Sequence, residues 1–251
     1  MEIAEHIAVL DTEGQRFVDA AVGAGYTAPV PTCPDWTVRD LTVHQGAVHR
    51  WAAKVVRERV QSGANAPIGE YIASAPDDSG LTEWFVTGHA ALLDALRNGS
   101  PDADFWRFMR NAPSSLAFWA RRQSHETSIH RIDADLSGPN GSPAVDPVFA
   151  ADGVDELLLG FGPRKKLSLT PARTLLLEAT DADRLWLVTL GDGVTAVSEG
   201  IDPDLAEASV TGTADAIYRF VWNRLDPTAA ELTVAGDPSA IDTWRSVMAV
   251  I

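Results

Sequence analysis

The sequence predicts an antiparallel four-helix bundle over residues 1–137, followed by a small α+β domain with a mainly antiparallel sheet over 148–251. Three observations carry this expectation. Apolar residues recur at helical spacing through the first half. The stretch Ser137-Gly138-Pro139-Asn140-Gly141-Ser142-Pro143 then breaks the pattern and marks 138–147 as a linker. Beyond it the apolar period falls to two.

The first helix is expected over 2–24, where Ile3, Ile7, Leu10, Phe17, Val18 and Val22 keep near-helical spacing before Gly25, Pro29 and Pro31 end it. A second starts near Trp36. Thr37, with Asp40 three residues on, resembles a capping box, and the segment runs through Leu41, Val48, Trp51 and Val55 to about Val60. Residues 62–80 are rich in Gly, Ala, Pro, Ser and Asp and read as loop. A third helix spans Leu81 to Arg97, stopped by Asn98-Gly99-Ser100-Pro101. A fourth, capped by Ser114 or Ser115, reaches Leu136. Four helices with three loops suggest an antiparallel bundle, with Trp51, Trp84, Trp106 and Trp119 in its core.

In the second half a short helix is expected from Val148 to Leu159, then a loop over 160–166. Strands are expected at 174–178, 185–190, 194–197, 206–210 and 231–234, with Gly191-Asp192-Gly193 as a hairpin turn. Helices are expected at 214–224 and 238–250.

Composition narrows the function classes. The chain has 251 residues, 45% hydrophobic and 22% charged, the balance of an ordinary globular protein. Its net charge of −15 repels a phosphate backbone, which argues against nucleic acid as a partner. No stretch approaches the ~18 apolar residues of a membrane span. The acidic, amphipathic start is unlike a secretory signal. Cys33 is the single cysteine, so no intrachain disulfide forms, and a cytoplasmic monomer or small homo-oligomer is expected.

The chemistry-bearing segment is Arg121-Arg122-Gln123-Ser124-His125-Glu126-Thr127-Ser128-Ile129-His130-Arg131. It is not a zincin helix, which needs two histidines four apart. His125 and His130 are five apart, about 140° around the helix, whereas Glu126 and His130 are four apart and about 40° from one line. A third ligand must come from elsewhere. The second helix offers His44 and His49, again five apart, and periodicity does not choose between them. Two histidines and a carboxylate form a common catalytic zinc set and also suit iron or nickel. The competing reading is that these are surface or satisfied core histidines, since short motifs arise by chance. Cys33 precedes a helix, where the dipole favours a thiolate, but no partner base is identifiable, and a buried structural thiol is the expected reading.

Two segments stand out together: Cys33-Pro34-Asp35-Trp36-Thr37-Val38-Arg39-Asp40-Leu41-Thr42-Val43-His44 and Phe118-Trp119-Ala120-Arg121-Arg122-Gln123-Ser124-His125-Glu126-Thr127-Ser128-Ile129-His130-Arg131-Ile132-Asp133. They resemble the paired signatures of the mycothiol-dependent maleylpyruvate isomerase family of actinobacteria, part of the wider DinB-like metal-binding bundles. Gly212 to Arg224, with Trp244, is similar to the family's sterol-carrier-like C-terminal domain. The resemblance implies His44, Glu126 and His130 as ligands of zinc or another divalent metal. It leaves His49 and His125 supporting, rim or surface roles. It implies Arg224 as a catalytic arginine that holds a substrate carboxylate, the competing reading being a helix C-terminal charge favoured by the dipole. Asp133, three residues after His130, is placed either to orient its ring or to be simply solvated. Mycothiol is the implied thiol cosubstrate, with a small electrophilic molecule as substrate and isomerisation or S-transfer as the reaction. Two rival readings remain: a zinc-water hydrolase that keeps the same ligands without thiol dependence, and a non-enzymatic small-molecule binding protein built on residues 174–250.

Overall fold

A computed structural model describes residues 1–109 and 112–248. The chain divides into two compact units, 1–143 and 144–251. Among the described residues no helix is long and apolar enough to cross a membrane.

The first unit is built on four long helices: α1 (Ile3–Ala24), α2 (Val38–Arg57), α4 (Asp78–Arg97) and α5 (Ser115–Leu136), with a five-residue α3 (Gly69–Ala73) between the second and third of these. Helix α1 packs on α5 and α4, and α2 packs on α4 and α5. The expected capping box is present: the Asp40 amide donates to the Thr37 hydroxyl at 3.3 Å, and the Thr37 amide donates to Asp40 Oδ2 at 2.9 Å. Ser114 caps α5 through the Ala117 amide. The segment 62–80 departs from the expected loop. It holds a 3-10 turn (Gly63–Asn65), α3 and the first turn of α4, which Asp77 caps three residues earlier than expected.

Close approach of α2 to α4 depends on Gly46, where an added Cβ would stand 2.3 Å from the Trp84 ring. Trp119 is fully buried, as expected of a core tryptophan, and meets Trp51 at 5.0 Å and Trp106 at 5.7 Å between ring centroids. Trp51, Trp84 and Trp106 are only partly buried, and Arg50 covers the Trp84 ring at 3.9 Å. Cys33 belongs to an apolar cluster with Phe17, Val38, Leu41 and Phe85.

The second unit opens with α6 (Pro147–Asp155), which continues as a π-helical turn (Glu156–Phe161) through the end of the expected helix and then as a 3-10 turn (Gly162–Arg164) inside the expected loop. The sheet joins β1 (Ser168–Ala179), β2 (Arg184–Val197), β3 (Ala208–Gly212) and β4 (Leu232–Gly236) in the order β2-β1-β3-β4. Leu177 faces Trp186 across an antiparallel pairing and Val210 across a parallel one; Val210 faces Val234 antiparallel. Two of the three pairings are therefore antiparallel. Helices α7 (Ala214–Val221) and α8 (Pro238–Val247) complete the unit. The last residues of the helix expected to reach Val250 lie outside the described residues.

The hairpin expected at Gly191-Asp192-Gly193 is not there. Those residues run through the interior of β2, Asp192 pairs with Ser168, and the register shifts between Ser168 and Arg173. Gly193, at φ 89°, donates its amide to the Leu167 carbonyl at 2.9 Å. The glycines thus lie opposite an irregularity in β1, where residues 169–172 stand against Gly191 alone, rather than in a turn. The actual β1–β2 turn is at residues 180–183, with Asp183 at φ 50°.

Candidate functional site

His44, Glu126 and His130 converge within the first unit. Their ligating atoms all lie within 4.8 Å of one another. His44 Nε2 and His130 Nε2 each stand 3.5 Å from Glu126 Oε1. Helix spacing explains the second contact, because residues four apart on α5 share a face. The first places α2 beside α5. The two imidazoles meet edge to face at 5.0 Å.

Each group on α5 has a support one turn away. Arg122 Nη2 donates to Glu126 Oε2 at 2.7 Å. Burial raises the Glu126 carboxyl, but the Arg122 guanidinium and hydrogen bonds with His130 and His44 outweigh it and hold the group well below the usual carboxylate range. His130 Nδ1 lies 2.9 Å from Asp133 Oδ2. Burial lowers the His130 imidazole, but hydrogen bonds with Asp133 and Glu126 raise it above its ordinary value. Trp36 stands against both histidine rings, 5.0 Å from His44 and 6.4 Å from His130. His44 also lines a cavity of about 570 Å³ with Trp36, Arg39, Asp40, Val43 and Ile72.

The donor set fits a small divalent cation. Ligand atoms about 2.1 Å from a tetrahedral zinc stand about 3.4 Å apart, close to the 3.5 Å separations observed. A ligating imidazole backed by a carboxylate on its other nitrogen is the usual outer arrangement of such sites.

The other candidates lie elsewhere. His49 is fully buried, and its Nε2 lies 2.9 Å from both Gln45 Nε2 and Thr127 Oγ1. His125 is fully buried against the His6 ring, at 5.7 Å between centroids. Neither is a surface histidine, and neither joins the Glu126 cluster. Arg224 sits in the second unit just past α7, which ends at Val221 rather than reaching residue 224. Asn223, at φ 62°, turns the chain there, and Arg224 Nη1 donates to the Trp222 carbonyl at 2.8 Å. Sequence reasoning did not single out Trp36 or Arg122 as site residues. The four-residue spacing of Arg122 and Glu126 was the available signal.

A bundle bearing two histidines and a glutamate in a supported cluster, with a second unit built on a mixed sheet, defines a class of two-unit enzymes. The chain belongs to the mycothiol maleylpyruvate isomerase family. Residues 7–135 match the "Mycothiol maleylpyruvate isomerase N-terminal domain" and residues 149–243 match the "MDMPI C-terminal domain". Among solved structures it resembles the mycothiol-dependent maleylpyruvate isomerase at 15% identity and TM-score 0.65, covering 94% of this chain and 95% of that one. A histidine-to-alanine mutant of that enzyme matches at 14% identity and TM-score 0.66 over the same shares. At such identities the likeness concerns the fold. No curated protein matches the chain.

Proposed function

We propose that this protein is a metal-dependent isomerase that uses mycothiol and acts on a small electrophilic substrate bearing a carboxylate. The observation that carries the reading is the convergence of His44 Nε2, Glu126 Oε1 and His130 Nε2. These three atoms would hold the cation, zinc above all. A divalent cation held there supplies the Lewis acidity that ionises a thiol whose pKa is otherwise about 8.5.

The chain's own residues do the rest. Arg122 keeps Glu126 ionised, and Asp133 holds the His130 ring. Trp36 shields the histidines, and the cavity beside His44 receives the reactants. The family resemblance alone assigns Arg224, in the second unit, to a substrate carboxylate, which a guanidinium would bind by a bidentate contact. The thiolate adds to one carbon of a conjugated cis double bond, leaving a single bond between the two carbons. Rotation follows, and expulsion of the same thiolate gives the trans isomer. If the enolate formed by the addition instead takes a proton from water and the sulfur stays on carbon, the same site performs S-transfer.

The test is cis–trans isomerisation of maleylpyruvate with and without mycothiol, with product mass and metal content measured together. Thiol-dependent turnover by protein carrying one equivalent of metal, lost in His44→Ala, is the expected result. Turnover indifferent to thiol would make the protein a hydrolase or another catalyst and overturn the proposal.

A further inference from the structure

We propose that Asp133 is the positioning residue of the His44–Glu126–His130 cluster, and that the loop between α1 and α2 holds Asp133 in place. The inference rests on reading that cluster as a metal site.

Asp133 is fully buried. Its Oδ2 accepts from His130 Nδ1 at 2.9 Å and from the Cys33 thiol at 3.6 Å. Its Oδ1 accepts from the Thr32 hydroxyl at 2.5 Å. A neutral imidazole has one donor nitrogen and one acceptor. With the Nδ1 proton committed to Asp133, the lone pair resides on Nε2, the atom 3.5 Å from Glu126 Oε1. Turning the ring over would put carbon where both nitrogens now stand, so the carboxylate selects the tautomer and the ring orientation together. Asp133 itself lies on the far nitrogen from the cluster and acts through His130.

The loop is built to grip. Val30 donates to the Trp36 carbonyl at 2.9 Å, and Cys33 donates to Val30 and Trp36 to Cys33, both at 3.1 Å. Pro29 and Thr37 form a bridge across its base. The loop thereby presents Thr32 and Cys33 to the back of Asp133 and Trp36 to the rings of His44 and His130. Cys33 takes a concrete role from this: its thiol belongs to the apolar core and points at a carboxylate, and it holds that carboxylate rather than attacking substrate.

A purely structural Asp133 would tie the loop to α5 and leave cation binding alone. Cobalt(II) separates the two roles, because its visible absorption reports coordination geometry independently of turnover. The wild type, Asp133→Asn and Thr32→Val are titrated with cobalt and then with zinc in competition. Asp133→Asn is expected to lose affinity about 10–100-fold, the usual effect of removing an outer partner, with an altered cobalt spectrum. Thr32→Val, which leaves the carboxylate but loosens its grip, is expected to lose less than Asp133→Asn while shifting the spectrum the same way. Wild-type affinity and spectrum in both variants, whatever happens to their melting temperatures, would overturn the inference and leave the metal reading standing. A wild type that binds neither ion would overturn the metal reading and this inference with it. If Asp133→Asn does not fold, Thr32→Val decides by the same criterion.

Discussion

Arg122 Nη2 donates to Glu126 Oε2 across 2.7 Å, one turn apart on α5. The arginine side chain is 4% exposed and the glutamate 24%. Arg122 therefore supplies a charge that keeps a mostly buried carboxylate ionised and facing the two histidines.

Arg122→Leu is expected to remove that charge while keeping apolar bulk. Breaking a buried ion pair typically costs about 3–5 kcal/mol, and the quarter exposure of Glu126 puts the expected loss in metal-free protein near the lower end. The sign follows from the depressed carboxyl. Its stabilisation is present above the ordinary value of 4.5 and is lost as pH falls through the lower native value. Without Arg122 the native value rises, and acid unfolding starts at higher pH. Urea midpoints at pH 7 and an acid titration check both points, and unchanged curves would mean Arg122 does not serve Glu126.

Zinc should stabilise the wild type by mass action. At a free concentration about 100 times Kd the gain is about 2.7 kcal/mol. His44→Ala should lose that gain while folding normally, because His44 is the most exposed of the three donors at 29%. Thermal melts with and without zinc measure it. Equal stabilisation of both proteins would place the bound zinc somewhere other than the cluster.

Asp155 anchors the second unit. It accepts from Arg184 Nη2 at 2.9 and 2.7 Å and from Trp186 Nε1 at 2.7 Å. Asp155→Ala strands a buried indole N–H, a loss of about 1–3 kcal/mol. Urea unfolding followed by tryptophan fluorescence should show the loss, with a blue-shifted native emission. A wild-type midpoint would show that the indole finds another acceptor.

Much of the fold was legible because its signals are local. Thr37 and Asp40 cap α2 within four residues, and the Gly-Pro stretch after Leu136 stops α5. Short elements were not legible. Five residues of α3 carry too little periodicity to stand out from a polar segment, and the cap at Asp77 lay inside it. Gly191-Asp192-Gly193 has the composition of a turn, but whether such a run turns or continues a strand depends on the partner strand, and β1 extends far enough to pair with it. The Glu126–His130 pair was legible from helix geometry alone. His44 was not separable from His49, because α2 is buried on more than one side. Burial alone would have favoured His49, which is fully buried and does not join the cluster, over His44, which joins it and lines the cavity. Helix α5 hides its pattern for a related reason. It buries Arg122, His125, His130, Arg131 and Asp133 beside its apolar residues, so no polar face marks the solvent side.

His49 and His89 are neighbours inside the bundle, with ring centroids 5.1 Å apart and ring planes tilted by 44°. Burial is the main cause lowering both imidazoles, and the charge of His89 lowers His49 further. The folded protein therefore resists protons that the unfolded chain accepts near the ordinary value of 6.5. Stability is full above that pH and falls as pH drops below it, by about 1.4 kcal/mol per pH unit for each histidine kept neutral. His89→Leu deletes one such group and relieves the other of its neighbour's charge. Its stability should fall less steeply than that of the wild type between pH 6.5 and 5. Carboxylates titrate alike in both proteins, so the difference between the two urea-midpoint curves isolates the histidine pair. Parallel curves would show that the pair accepts protons as readily in the folded bundle as in the unfolded chain, and the burial argument would fail.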